Sequence, residues 1–193
     1  MNDKKQSYVS RAEGKLAGAA QVFSYDFREK KVLDIGSSTG GFTELALGLG
    51  AKKVIAIEKG TNQMKAPLRL DKRIDLREKT DIFSVKKETV GKVDTILADV
   101  SFVSLTKVLA YAKMNLARRD TDFLVMLKPQ FEARGFQMNK GVVKNEKIRR
   151  EIVKNFENWL KRNGFLIVKK RDNDVRGKNG NLERFYWLKN VDF

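Results

Sequence analysis

Short apolar segments alternate with amphipathic segments along most of the chain. The run "KVLDIG", which begins at Lys31, has the composition of a buried strand, and "GFTELALGLG" shortly after it has the spacing of a short helix that Gly50 ends. Further apolar runs at 52–59, 93–100 and 122–129 have the length of strands. This β-α-β alternation predicts an α/β fold with a mostly parallel, doubly wound sheet and helices on both faces. Such sheets bind ligands at the carboxyl ends of their strands.

The two ends of the chain carry further predicted elements. A helix is expected over 10–23, where Ser10 and Glu13 have the spacing of a capping box. A long helix is expected over 145–162. The last two apolar runs flank the turn "DVRGKNGN", and this pattern predicts an antiparallel hairpin at the end of the chain.

Three segments give weaker signals. "TNQMKAPLRL" has the pattern of a helix that Pro67 interrupts, and "RIDLREK" after it that of a weak strand. The glycine-containing stretch at 130–142 is expected to be a loop.

Composition limits the size of the fold and its chemistry. With 193 residues and 41% hydrophobic side chains, the chain can bury a core without disulfides or metal, so we expect one domain over 1–193, with 1–7 flexible. The sequence contains no Cys and no His. It therefore has no thiol nucleophile, no Cys or His metal ligand and no histidine base, and its chemistry must use Lys, Asp, Glu, Tyr, Ser or Thr.

The charge balance is strongly basic. Lys and Arg total 40 against 24 for Asp and Glu, which gives a formal net charge of +16. This excess favours a nucleic-acid partner, although a well-solvated surface is the alternative. The sequence contains no apolar stretch of about 20 residues and no apolar signal-peptide core near its start, so we expect a cytoplasmic protein without a membrane partner.

The glycine turn after the first apolar run is a candidate cofactor site. It does not fit a P-loop, because Phe42 stands where a P-loop has Lys, and Ser38 stands where the dinucleotide fingerprint has its second glycine. Glu58 ends the next apolar run, where a carboxylate can accept the hydroxyls of an adenosine ribose. S-adenosylmethionine carries adenosine without a phosphate and suits this layout. A nicotinamide or flavin cofactor, or a tight turn without a ligand, remains an alternative at this point.

Five blocks of sequence carry a more specific signal. "SYVSRAEGKL", "LDIGSSTGGFTE", "ILADVSFVSLTKVL", "VMLKPQFE" and "GVV" occur in this order and closely resemble the TlyA family, often labelled hemolysin A-like. That family belongs to the FtsJ/RrmJ-type ribosomal RNA 2′-O-methyltransferases. The resemblance extends from Tyr8 to Leu188 and implies a Rossmann-like methyltransferase fold, S-adenosylmethionine as cofactor, and ribosomal RNA or ribosomal subunits as partner. TlyA-type proteins usually carry a small N-terminal S4 domain, which we expect this chain to lack, and "SRAEGKL" differs from their common glycine-rich version.

The resemblance also implies the site residues. A Lys-Asp-Lys-Glu tetrad of catalytic residues falls on Lys15, Asp99, Lys128 and Glu183. The implied cofactor contacts are Gly36, Ser37, Ser38, Thr39, Gly40, Gly41, Glu58, Asp81 and Asp99, and no metal is implied.

The tetrad suggests a division of labour in methyl transfer. We expect Lys128 to be the main base, Asp99 to orient it, and Lys15 and Glu183 to position the ribose. Each residue has a simpler interpretation from its own surroundings: an isolated Lys15 would usually be solvated, and Glu183 could pair across the hairpin with Lys169 or Lys170.

RNA phosphates are expected to bind the basic surface. The candidates are Arg11, Arg134, Lys140, Arg176 and Lys178, with Lys4 and Lys5 near the start. Three rival functions remain: a non-catalytic RNA-binding or ribosome-assembly protein on the same fold, a small-molecule methyltransferase, and a membrane-lytic hemolysin. The charge argues against the second, and the lack of a spanning segment argues against the third.

Overall fold

Seven strands and seven helices make up the regular structure of the part of the chain described by a computed structural model. That part comprises residues 11–174, 176, 177 and 180–191, with side chains from residue 14 onward. The strands are β1 (Lys31–Ile35), β2 (Lys53–Ile57), β3 (Ile74–Arg77), β4 (Thr95–Ala98), β5 (Asp122–Leu127), β6 (Phe165–Asp172) and β7 (Arg184–Asn190). The helices are α1 (Arg11–Phe23), α2 (Gly41–Gly48), α3 (Ala66–Arg69), α4 (Lys87–Val90), α5 (Leu105–Asn115), α6 (Pro129–Glu132) and α7 (Glu146–Arg162). The expected flexibility of 1–7 and the capping role of Ser10 lie outside the described residues.

All seven strands belong to one sheet in the order β3-β2-β1-β4-β5-β7-β6. The first five strands in this order are parallel, and β7 runs antiparallel to both β5 and β6. The prediction of a mostly parallel sheet with a C-terminal antiparallel hairpin is confirmed. The order of the strands reverses between β1 and β4, and this is the point where a doubly wound sheet opens a crevice for a ligand.

Two apolar layers cover the faces of the sheet. One packs α1 and α2 through Leu16, Phe23 and Phe42, and the other packs α5 and α7 through Leu109 and Phe156. Because helices cover both faces, every residue of β4 and β5 is buried, as is usual for parallel strands.

The structure corrects the weaker predictions. Pro67 does not interrupt a helix: it lies in the first turn of the single-turn helix α3, where its missing N–H costs nothing. The stretch at 130–142 is not a plain loop, because it contains α6 and a 3₁₀ turn at Gly135–Gln137. Helix α4 was not predicted. These elements span one turn each, which is too short for a hydrophobic period to show.

Asp34 is a fully buried acid in the middle of this apolar scaffold. It lies in β1 with 0% exposure, and its Oδ2 accepts a hydrogen bond from Thr43 Oγ1 of α2 at 2.7 Å. The bond ties the strand to the helix on either side of the glycine turn. Burial raises the pKa of Asp34 from 3.8 to about 7, against a smaller lowering effect of the Thr43 hydrogen bond.

This pKa predicts how stability depends on pH. Below about pH 4, Asp34 is protonated in both the folded and the unfolded chain, so its raised pKa does not lower the free energy of unfolding there. The lowering grows as pH rises towards 7, because the unfolded chain loses its proton first. We expect the free energy of unfolding of wild type, relative to Asp34→Asn, to fall by about 3 kcal/mol between pH 5 and pH 8. Urea unfolding of both proteins at the two pH values checks this, and a constant difference would contradict the neutral state of Asp34.

Candidate active site

An ion pair lies where β4 and β5 end. Lys128 Nζ lies 2.6 Å from Asp99 Oδ1 and donates a hydrogen bond to Ser101 Oγ at 2.9 Å. The Lys128 side chain is 12% exposed and that of Asp99 is 17% exposed. Charges this far removed from water are tolerated only when they are paired, so each side chain depends on the other.

A second ion pair joins the first helix to the last strand. Lys15 Nζ of α1 lies 2.5 Å from Glu183 Oε2, and the Glu183 side chain is only 4% exposed. The alternative pairing across the hairpin is wrong, because Lys169 donates to the Phe23 carbonyl and Lys170 pairs with Glu157. Glu183 precedes β7 rather than lying within it.

Strand register places the two pairs next to each other. Leu127 of β5 is opposite Arg184 of β7, so Lys128 and Glu183 follow and precede directly opposed residues. In the same way Ala98 of β4 is opposite Val125, two residues before Leu127. The four residues predicted as a tetrad belong to three adjacent strand ends and to α1, which packs on the sheet. Neighbouring strands lie about 4.8 Å apart, so these side chains lie near one another. Their catalytic roles stay predictions.

A cleft of about 670 Å³ opens at the same edge, where the strand order reverses. Gly36 and Asp99, which follow β1 and β4, form its inner wall, and Glu58 follows β2 on the opposite side. Asp81, Ile82 and Phe83 close the far end. The cleft therefore has apolar surface and a carboxylate both after β3, at Asp81, and after β4, at Asp99.

The glycine turn is shaped for close approach. Gly36 has φ +80°, and a Cβ on it would lie 3.3 Å from the Asp99 carbonyl oxygen, so a side chain there would be strained and would crowd the base of the cleft. Ser37 Oγ is buried, with no hydrogen-bond partner among the described residues. Of the other predicted cofactor residues, Ser38 lines the cleft and Thr39 is exposed, while Gly40 and Gly41 are buried where α2 begins.

Glu58 holds the turn in place. Its Oε2 accepts the Ser38 N–H at 2.8 Å and its Oε1 accepts the Gly60 N–H at 2.7 Å. One carboxylate thus joins the loops that follow β1 and β2. Oε1 also accepts a hydrogen bond from Gln63 Nε2 at 3.4 Å, whereas Oε2 keeps a lone pair that is compatible with the predicted contact to a ribose hydroxyl.

Asp81 lies at the opposite end of the cleft. Its Oδ1 accepts the Phe83 N–H at 3.1 Å, and its Oδ2 lies 2.9 Å from Lys59 Nζ. These two hydrogen bonds, that from Lys59 first, lower the pKa of Asp81 below its ordinary value.

The predicted RNA-contact residues are only partly described. Arg134, Lys140 and Arg176 are exposed, and Arg176 donates to the Gly180 carbonyl at 3.0 Å. Arg11 begins α1, but its side chain lies outside the described residues, as do Lys178, Lys4 and Lys5. Binding of phosphate by any of these side chains stays a prediction.

Sequence reasoning missed two residues beside the cleft. Ser101 contacts Lys128, as described above. Phe102 is 93% exposed, has φ +64° and packs its ring 5.3 Å from that of Phe131. A phenylalanine two residues after a strand-ending acid was a visible signal, but only the structure shows that its ring faces solvent in a strained conformation.

Comparison with known proteins identifies the family. Residues 8–190 match the FtsJ-like methyltransferase family. The chain belongs to the FtsJ-like methyltransferase family. Within it, the chain is 36% identical over 191 residues to the 16S/23S rRNA (cytidine-2′-O)-methyltransferase TlyA of Mycobacterium tuberculosis, covering 98% of this chain and 71% of that protein. It is 38% identical over 182 residues to the 23S rRNA (cytidine-2′-O)-methyltransferase TlyA of Campylobacter jejuni, covering 93% of this chain and 70% of that protein.

A solved structure shares the fold of this FtsJ-like chain. It is described as a candidate hemolysin from Streptococcus thermophilus and superposes with a TM-score of 0.92 at 32% identity, covering 99% of this chain and 70% of that one. The resemblance to the TlyA and hemolysin A-like proteins is thus confirmed. Among the described residues, no helix of this methyltransferase is both long enough and apolar enough to span a membrane.

Gly177 tests how tightly the site is packed around Glu183. A Cβ on Gly177 would lie 2.6 Å from Glu183 Oε1. We expect Gly177→Ala to displace the carboxylate and lengthen its ion pair with Lys15, because Glu183 is buried and has little room to move. A crystal structure of the variant measures this distance. An unchanged pair would contradict the close packing, and Gly135→Ala, where a Cβ would meet nothing within 4 Å, is the control.

Proposed function

We propose that this chain is an S-adenosylmethionine-dependent methyltransferase that methylates a ribose 2′-hydroxyl of ribosomal RNA. The observation that carries the proposal is the paired lysine and aspartate, Lys128 and Asp99, at the edge of a cleft that the glycine turn and Glu58 also line. The family supports the reaction class, and the two TlyA relatives act on a cytidine 2′-oxygen of ribosomal RNA according to their names.

The residues of the cleft fit S-adenosylmethionine. Gly36 leaves free the space that a side chain would fill. The adjacent Ser37 does not line the cleft, but its Oγ is a buried hydroxyl without a partner in the described structure. Glu58 would accept ribose hydroxyls, while Ile82 and Phe83 offer apolar surface for adenine beside Asp81. When bound, this cofactor supplies a methyl group activated by a sulfonium.

The chain's own residues then have to handle one hydroxyl proton. Without histidine, Lys128 is the proposed base: its Nζ, which is ion-paired with Asp99, has to release one proton before it accepts that of the hydroxyl. Asp99, 2.6 Å away, holds Nζ in place and stabilises the ammonium ion that forms. Lys15 and Glu183 would position the ribose, and fixed orientation of this kind can supply a large part of the rate.

RNA suits the charge of the protein. A formal net charge of +16 attracts a polyanion. The exposed Arg134 and Lys140 lie on the segment that follows Lys128, and the exposed Arg176 lies on the segment that precedes Glu183. Activity that depends on such contacts falls steeply with salt concentration, whereas activity on a small neutral substrate would not.

Removal of Lys128 tests the mechanism. We expect Lys128→Ala to lower transfer of labelled methyl to unmethylated ribosomal subunits or free ribosomal RNA by 10²-fold or more, because the proton acceptor is lost. Mass spectrometry of the nucleosides would place the wild-type label on a ribose. Lys107→Ala, which removes an exposed lysine of α5, serves as the control and should retain full activity.

Two results would overturn parts of this proposal. Near-wild-type methylation by Lys128→Ala would remove Lys128 from the mechanism. Absence of S-adenosylmethionine binding would favour the alternative, an RNA-binding or ribosome-assembly protein that does not methylate.

We also propose that Phe102 stacks on a base of the substrate RNA. Its ring is almost fully exposed at the mouth of the cleft, one residue beyond Ser101, and aromatic rings in such positions bind unstacked bases.

Removal of the Phe102 ring should weaken use of the RNA substrate. We expect Phe102→Ala to lower kcat/KM for RNA about tenfold or more, since one base stack contributes about 1–3 kcal/mol. Phe102→Tyr should keep most of it. Phe136→Ala, which removes another exposed ring that does not line the cleft, is the matched control. Equal losses in the two alanine variants would argue against a specific stack at Phe102.

A further inference from the structure

Two short segments carry the Asp99–Lys128 pair. One runs from Asp99 at the end of β4 to Leu105, the first residue of α5. The other runs from Lys128 at the end of β5 through α6 to Glu132. Beyond the strand ends, the position of one segment against the other depends on side-chain contacts.

Three contacts cross between these segments. The innermost joins Lys128 to Asp99 and Ser101. The middle one is the ring contact between Phe102 and Phe131 at 5.3 Å. In the outermost, Glu132 Oε1 accepts the Leu105 N–H at 2.5 Å and its Oε2 accepts Ser104 Oγ–H at 2.7 Å.

The outermost contact replaces a local helix cap. Ser104 is the N-cap residue of α5, but its side chain makes no capping bond to its own helix. Its hydroxyl instead contacts Glu132 and, at 2.7 Å, Oγ1 of Thr106 in α5, and the Glu132 carboxylate accepts the N–H of Leu105 from 27 residues away. Burial raises the pKa of Glu132 above its ordinary value, while the bonds from Ser104 and Leu105 and the partial positive charge of the helix N-terminus favour its charged form.

We infer that Glu132 is a positioning residue for the Asp99–Lys128 pair. By capping α5 from the end of α6, it fixes the spacing between the two segments that bring Asp99 and Lys128 together. The segment that it holds contains Phe102 in a left-handed conformation, which is costly for a phenylalanine and persists only where the surroundings impose it.

Glu132 does not act on the substrate directly. It does not line the cofactor cleft; it borders a separate groove of about 540 Å³ together with Arg134, Phe136 and Glu151. Each of its oxygens accepts one of the two bonds, from the Leu105 N–H and from the Ser104 hydroxyl. Its contribution to rate therefore passes through geometry, and a misplacement of about 1 Å at a reacting group can cost 10²-fold in rate.

The test compares three substitutions. Glu132→Ala removes both acceptors, Glu132→Gln keeps the shape and one acceptor for the Leu105 N–H, and Ser104→Ala removes only the hydroxyl. Glu151→Ala removes an exposed carboxylate on the same groove and is the control for charge.

The kinetic effect rests on the proposed function. We expect Glu132→Ala to lower kcat for RNA methylation about tenfold or more. Glu132→Gln should recover activity to within about threefold of wild type, and Ser104→Ala should lie between the two. A kcat of Glu132→Ala within twofold of wild type, or a Glu132→Gln variant as poor as the alanine variant, would overturn the inference.

A second measurement does not need activity. In NMR spectra, the amide resonances of Ser101 and Phe102 should shift in Glu132→Ala and stay near their wild-type positions in Glu132→Gln and Glu151→Ala. Unchanged resonances in the alanine variant would overturn the inference. If wild type methylates no RNA, the proposed function fails, while these spectra still decide whether Glu132 positions the segment.

Discussion

The Asp99–Lys128 ion pair is the interaction on which the site depends. Both side chains are largely withdrawn from water at the ends of β4 and β5, and either charge alone would be costly there. The backbone pairing of β4 with β5 places these two positions close together, whatever side chains they carry. The strand order reverses next to this pair, between β1 and β4, so the cleft and the charged pair share one edge. The reversal of strand order and the buried ion pair thus lie at the same place in the fold.

Sequence reasoning predicted the scaffold better than the contacts. Strands such as "KVLDIG" and helix α7 have periods long enough to recognise, whereas α3, α4 and α6 span one turn each and have none. The tetrad positions came from a family resemblance, since Lys15 and Glu183 are 168 residues apart and no spacing rule could pair them. The Glu132 cap was invisible for the same reason. In a sequence, a helix cap is recognised because the capping residue lies next to its helix. Glu132 caps α5, which follows β4, from the segment that follows β5.

Two carboxylates outside the predicted tetrad connect the loops of this site. Glu58 joins the loops after β1 and β2 through two backbone N–H groups, and Glu132 joins the segments after β4 and β5. Glu58 accepts the Ser38 N–H and Glu132 accepts the Leu105 N–H, each from the other segment, because loops at strand ends leave such donors open. The strand ends are therefore connected in pairs by acids from outside the tetrad. These links hold the loops of the site in fixed positions relative to the sheet beneath them.

The contacts that hold Lys128 matter because the sequence contains no histidine. A lysine that accepts a proton must be held where the proton arrives, because its flexible side chain has many competing rotamers. Asp99 and Ser101 restrict Nζ directly, and the segment that carries both is in turn restricted by Phe131 and Glu132. A histidine base is commonly oriented by one carboxylate. In the proposed mechanism the same task is divided among several side chains of two segments, so residues outside the tetrad would belong to the catalytic geometry.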